Sequence, residues 1–197
     1  WAQGRSGFRM EDFYRDQRRR FGVLLEPDGG PVGGGWNFDK HNREGPPGAS
    51  TLGVPAPYRP RENDVDRGVR RDLDVWCGEA GSRVVGGDGP RLFAVSRAEA
   101  GRALRRFLDE RLPTFGTHQD AMLEDDWSMS HSLLSVPLNL GLLDPLRVVE
   151  AAERRYREGT APLASVEGFV RQVLGWREWT WHLYWHLGPD YLRSNHF

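Results

Sequence analysis

The chain has 197 residues and carries 27 Lys+Arg against 28 Asp+Glu, a net charge of −1, with one cysteine, Cys77. That balance excludes a globally basic nucleic-acid binder, so any basic surface has to be local. A lone cysteine excludes an internal disulfide and a cysteine-only metal site. No apolar run approaches the roughly 20 residues needed to cross a bilayer, and no signal peptide is visible. The expectation is a soluble, cytoplasmic protein. Because Trp1 stands against an apparent helix and Asn195-His196-Phe197 follow another closely, the sequence reads as a fragment of a longer protein.

In chain order, Arg9 to Arg20 reads as a short charged helix with Met10, Phe13 and Tyr14 on one side. Its basic end, Arg18-Arg19-Arg20, suits a helix C-terminus, as a solvated end rather than a phosphate contact. Phe21 to Leu25 is a short strand or helix extension, closed by the Pro27-Asp28-Gly29-Gly30 turn. Gly33 to Arg43 lacks the Lys-Ser/Thr ending of a phosphate loop and reads as an ordered turn. From Gly45 to Pro90 the composition turns to Pro, Gly, Arg and Asp. That is the pattern of an interdomain linker laid over a surface, with Asn63 to Trp76 either a charged helix or irregular.

The second half is regular. Ser96 and Glu99 form a capping box, and Ala100, Leu104, Phe107, Leu108 and Leu112 follow at helical spacing up to Pro113. Asp144-Pro145 starts another helix, as N-cap and first position, running to Gly159. From Ser96 onward a helical bundle with short connections is expected. Its organising element is Ser165 to Leu187. Stepping 100° per residue places Val166, Phe169, Val170, Val173, Leu174, Leu183 and Tyr184 on one side. Trp181 and Trp185 fall on or near that apolar arc and are expected in the core. Trp179 falls on the polar arc with Gln172, His182 and His186. Trp176 lies at the boundary beside Gln172, where a flat partner is expected. Arg177 falls within the apolar arc, where a guanidinium needs an anion.

A candidate anion site is the stretch His131 to Gly141. Ser132 and Ser135 precede Pro137, so hydroxyls and free amides converge at a helix start; ordinary capping by Ser135 explains the same residues equally well. A diphosphate between that serine turn and Arg177 would satisfy both. The i, i+4 pair His182/His186 lacks the glutamate of a zinc-protease helix, so no metal is assigned. Glu124, Asp125 and Asp126 read as a solvated charge run, so no catalytic residue is assigned.

Phe169 to Glu178 (FVRQVLGWRE) resembles the Gly-Trp-Arg-Glu helix of the photolyase/cryptochrome flavoproteins. More narrowly it is similar to their bacterial iron–sulfur branch, the photolyase-related or (6-4) photolyase-like proteins. Gly33 to Arg43, Arg111-Leu112-Pro113 with Phe115-Gly116, Gln119 to Met122, His131 to Ser135, and Ala161 to Phe169 occur in family order. His118, Val136 and Trp181-His182 depart from the family pattern.

The resemblance implies a mainly α fold, part of a helical FAD-binding domain, preceded by the end of an α/β Rossmann-like domain and a long linker. Residues 1–44 would end the antenna-type domain, 45–91 form the linker, and 92–197 begin the FAD domain. It implies FAD held by Ser132, Leu133, Leu134, Ser135 and Arg177, with Gln172 and Trp176 facing a lesion in DNA. The implied activity is light-dependent repair by electron transfer from reduced FAD to a pyrimidine dimer, in a monomeric lyase. A 4Fe-4S cluster with ligands outside this chain and an antenna chromophore are family options. The other readings are a cryptochrome-type photoreceptor without repair and a flavin-free helical DNA-binding or interaction module.

Overall fold

In a computed structural model, residues 1–45, 48, 51–79 and 89–194 are described; Pro46 and Pro47 of the proline-rich stretch lie outside them. The described residues are mainly helical. They comprise α1 (Met10–Phe21), α2 (Asp64–Glu79), α3 (Arg97–Glu110), α4 (Leu112–Phe115), α5 (Ser135–Asn139), α6 (Pro145–Arg157), α7 (Leu163–Val170) and α8 (Glu178–Leu187). A π-helical turn, Arg171–Arg177, joins α7 to α8 without a break. Among the described residues the one β feature is an isolated bridge between Leu25 and Pro31. Phe21 to Leu25 is therefore neither strand nor helix beyond its first residue, because Gly22 turns left-handed (φ 67°) and ends α1.

The caps read from sequence are present. Ser96 Oγ accepts from the Glu99 amide at 3.3 Å, while Glu99 Oε2 accepts from the Val95 amide at 3.1 Å. Asp144 Oδ1 accepts from the Arg147 amide at 3.1 Å, with Pro145 in the first turn. Pro113 does not end α3. That helix stops at Glu110, and Pro113 occupies the first turn of α4, where its missing amide costs nothing.

The core forms where α3, α4, α6 and α7 meet. Phe107, Phe115 and Phe169 pack ring against ring at 4.7–5.9 Å, among Leu112, Leu134, Val148, Val149 and Val166. Residues before 45 share this core. Tyr14, Val23, Leu24 and Val32 are buried in it, and α1 lies against the π turn. Arg18 is fully buried, so the basic end of α1 is not simply a solvated one. Its guanidinium donates to the carbonyls of Val23, Leu24 and Trp36, tying the loop after α1 back onto the helix. The segment 51–63 runs along α3, held by Arg106 Nε to the Ala56 carbonyl at 3.1 Å and Arg102 Nε to Tyr58 Oη at 3.0 Å. Among the described residues no helix is long and apolar enough to cross a membrane.

The π turn changes the second half of the long helix. Val166, Phe169, Val170, Val173 and Leu174 are buried as the spacing predicts. Trp181, Tyr184 and Trp185 are instead 58%, 63% and 65% exposed, which corrects the core placement of Trp181 and Trp185. The predicted polar arc faces the protein. Trp179 Nε1 donates to the Phe8 carbonyl at 3.1 Å, His182 packs on Trp1 and Phe13, and His186 packs on Phe8. The cause is geometric. Each residue added by i→i+5 turns rotates the remainder of the helix by about 100° relative to an unbroken α-helix.

Candidate functional site

A cavity of about 510 Å³ opens between the 115–120 turn, the 131–139 segment and the front of the π turn. Its walls include Ser132, Leu133, Leu134, Ser135, Gln172 and Arg177, residues up to 45 positions apart in sequence. Phe115, Leu138 and Phe169 give it an apolar side.

The serine segment owes its shape to Arg111, which is 1% exposed. Its guanidinium donates to the carbonyls of Pro55, Ser128, Met129 and His131. Gathering those carbonyls on one cation bends the chain sharply, and Met129 and Leu133 adopt positive φ of 39° and 54°. Asp126 supports the same bend. It accepts from the Met129 amide at 2.8 Å and from Thr51 Oγ1 at 3.1 Å, so this acidic residue is a loop anchor rather than part of a solvated run. Those contacts outweigh burial and hold its carboxyl below the ordinary range. Ser132 Oγ accepts from the Leu134 amide at 3.4 Å. Ser135 does not act as the N-cap: α5 begins with it and has five residues, too short for an appreciable dipole. His131 packs on Phe115, and burial followed by the Arg111 charge holds its imidazole below the ordinary pKa, hence neutral near pH 7.

Arg177 is not an unpaired guanidinium inside the core. Its side chain is 33% exposed and pairs with Glu178. Its Nε, however, is buried without a hydrogen-bond partner, on the wall of the cavity. Gln119 repeats that situation: its side chain is buried, its Nε2 lacks a partner, and it also lines the cavity. Trp176 is 44% exposed and faces a second, more open cavity of about 660 Å³ with Trp181, Tyr184 and Trp185. Gln172 and Trp176 thus belong to different cavities, and Arg177 and Asn139 form the border between them.

Behind the π turn lies a polar cluster that the sequence reading missed. Glu167 is fully buried, accepting from Tyr14 Oη at 3.0 Å and the Phe38 amide at 2.9 Å. Arg171 Nε stands 3.3 Å from its carboxylate, and Arg171 Nη2 donates to Asp39 at 2.9 Å. Burial raises the Glu167 pKa despite those donors. For Asp39 the burial effect is outweighed by the hydrogen bonds from Arg43 and Arg171, and its pKa falls. Gly175 lets α1 approach, since a Cβ there would stand 3.1 Å from Met10 Sδ and 3.4 Å from the Tyr14 ring. The sequence signal was a glutamate between Val166 and the apolar stretch Gly168-Phe169-Val170, one helical turn before Arg171.

The residues that line the cavity are of the kind a flavin dinucleotide needs. Its volume lies in the usual range of about 300–1,000 Å³ for cofactor pockets. Hydroxyls and a cation line it together, and two buried donors there lack hydrogen-bond partners. A four-iron cluster finds no ligand set in this chain, where Cys77 is the single cysteine. Among the described residues no three His, Cys, Asp or Glu side chains gather as metal ligands.

Comparison with known proteins places the chain beside photolyase-related proteins. Residues 1–80 match the family described as deoxyribodipyrimidine photo-lyase-related protein. Over its whole length the chain is 46% identical to a (6-4) photolyase of Agrobacterium fabrum, covering 38% of that protein. It is also 36% identical over 78 residues to an uncharacterized protein of Acanthamoeba polyphaga mimivirus, spanning 39% of this chain and 60% of that one.

Proposed function

We propose, for a chain that these matches show to be photolyase-related, that it forms part of a light-dependent DNA-repair flavoprotein acting on pyrimidine photoproducts. In the whole protein, residues 92–197 would open the helical FAD domain, 45–91 would cross as the linker, and 1–44 would close an antenna-type domain while lending Tyr14, Val23, Leu24 and Val32 to the helical core. The carrying observation is the 510 Å³ cavity that unites Ser132–Ser135 with Arg177, whose Nε lies buried without a partner.

Reduced FAD, were it held there by Ser132–Ser135 and Arg177, would lend the photoproduct an electron under illumination and take it back once the photoproduct has split. The chain's own residues supply position and electrostatics. Arg177 offers a fixed cation to the phosphates, and Ser132 and Ser135 offer hydroxyls. The segment 133–134 follows the backbone bend imposed by Arg111. Phe115, Leu138 and Phe169 keep water from one side of the cavity and so strengthen the polar contacts on the other. Gln172 and Trp176 are the proposed lesion contacts, approached from the two cavities that Arg177 separates. A base extruded from the duplex would have the indole of Trp176 for stacking. The partner is DNA carrying pyrimidine photoproducts, and the protein works as a cytoplasmic monomer.

The test uses the full-length protein. Purified, it should carry flavin absorbance, and illumination with photoproduct-containing DNA should restore intact pyrimidines. Flavin without repair would replace this reading with a photoreceptor, and a colourless protein would replace it with a flavin-free helical module.

A further inference from the structure

We propose that Gln119 is a binding residue of this cavity, forming with Gln172 a two-amide edge that takes the N–H and carbonyl edge of a cyclic imide. That edge is shared by a pyrimidine base and by the pyrimidine-like ring of a flavin. The inference rests on the flavin- and lesion-facing reading of the cavity and deepens it.

Gln119 is 8% exposed and sits in the turn after α4, its amide donating to the Gly116 carbonyl at 3.2 Å. Gln172 Nε2 donates to Gln119 Oε1 at 3.3 Å. The Gln119 Nε2 is buried and has no partner, and both side chains line the same cavity. A carboxamide offers two N–H donors and one carbonyl, so one bond between the pair leaves the N–H groups of Gln119 and the carbonyl of Gln172. A buried donor without an acceptor leaves its desolvation cost unrecovered.

The carboxamide is held in place from behind. Gly168 lies one helical turn before Gln172, and a Cβ there would stand 3.3 Å from Gln119 Oε1 and 2.9 Å from Asn42 Nδ2. Asn42 is itself fixed, with its Nδ2 donating to the Ala164 carbonyl at 2.9 Å. The absence of a side chain at Gly168 makes room for both carboxamides, and any Cβ there would displace one of them. Exchanging O and N in both amides reverses the bond between them but again leaves one donor beside one acceptor. The ligand class is therefore the same either way. A phosphate, all acceptor, would match only half of this edge. It belongs with Ser132, Ser135 and Arg177, while the amide pair suits a neutral ring.

In the full-length flavin-loaded protein, Gln119→Leu and the isosteric Gln119→Glu are compared with wild type. FAD affinity is read from the fluorescence of released flavin. Lesion discrimination is read as the ratio of affinities for photoproduct-containing and undamaged duplex DNA, by fluorescence anisotropy. A loss of about tenfold in discrimination with unchanged FAD affinity supports the inference and places the edge on the base. A loss of about tenfold in FAD affinity with unchanged discrimination supports it and places the edge on the flavin ring. Loss of both supports it when the visible band of the remaining flavin shifts; an unshifted band signals general damage and overturns it. No change in either quantity also overturns it. Should the leucine variant fail to fold, the glutamate variant decides, since it retains the shape and the acceptor for Gln172 but lacks the donor. Wild-type protein that neither retains FAD nor discriminates lesions overturns the reading of the cavity itself, and this inference with it.

Discussion

The π turn has two faces, and the same seven residues serve opposite ends on them. On the back, Tyr14, Phe38, Asp39, Glu167 and Arg171 are joined by hydrogen bonds and ion pairs across α1, the 38–43 loop and α7, and even the Arg171 Nε, which lacks a hydrogen bond, stands 3.3 Å from the Glu167 carboxylate. On the front, Arg177 Nε and Gln119 Nε2 are buried with nothing to bond. A face whose polar groups are paired contributes rigidity, and a face whose donors are left over offers affinity to something else. Substitutions on the back should therefore move stability, and those on the front should move ligand binding.

The largest expected effect is on the back. Glu167→Ala strands Tyr14 Oη, the Phe38 amide and Arg171 in a buried setting, and should cost about 3–5 kcal/mol in denaturant unfolding of the full-length protein. A cost below about 1 kcal/mol would mean the back face is not the rigid one. Next comes Gly168→Ala, whose methyl would press on Asn42 and Gln119. It should cost about 1–3 kcal/mol by overpacking, measured the same way.

Glu167→Gln sharpens the contrast through pH. The folded-state pKa of Glu167 is raised, so its stabilising contribution is complete below the unfolded value of about 4.3 and is lost as pH rises through the folded value. Asp39 behaves oppositely: its depressed pKa gives stability above the unfolded value, lost as pH falls through the folded one. The variant should flatten the decline above the unfolded carboxylate range and leave the acid limb. An unchanged profile in melting temperature against pH would refute the assignment. The smallest effect on stability belongs to the front. Arg177→Ala removes a one-third exposed side chain with an orphaned Nε and should change stability by less than about 1 kcal/mol. It should nevertheless lower flavin occupancy, and unchanged flavin content in the purified protein would count against the phosphate contact.

Much of the molecule was legible in its residues. Ser96 with Glu99 and Asp144 with Pro145 announced their helices because caps are local and bond within three residues. The stripe from Val166 to Leu174 was legible because its spacing is regular. Ser132, Ser135 and Arg177 were paired by need, a hydroxyl-rich turn and a cation, and the cavity brings them together. The register of α8 was not legible, since the assumption of 100° per residue has no place for a π turn. Glu167 and Tyr14 are 153 positions apart, so only the fold shows that the glutamate has donors. Arg18 looked like part of a solvated basic end because its three carbonyl partners lie in an irregular loop. Gln119 stands in the family-like stretch Gln119 to Met122, but nothing in its neighbours shows that its amide is buried against Gln172.

Arg91 acts as a clasp between α2 and the segment that leads into α3. Its guanidinium pairs with Asp66 at 2.7 Å and with Glu99 at 2.9 Å, and its amide donates to Glu62 at 2.7 Å, while Arg70 reaches the Gly89 carbonyl at 2.7 Å. The bonds to Glu99 and Asp66 raise the Arg91 pKa further, and the Arg70 side chain, which also donates to Glu62, together with the Arg91 amide lowers the Glu62 pKa to about 2. What couples α2 to the start of α3 is thus charge gathered on one side chain, and Arg91→Ala should speed hydrogen exchange in α2 while leaving the π turn unchanged.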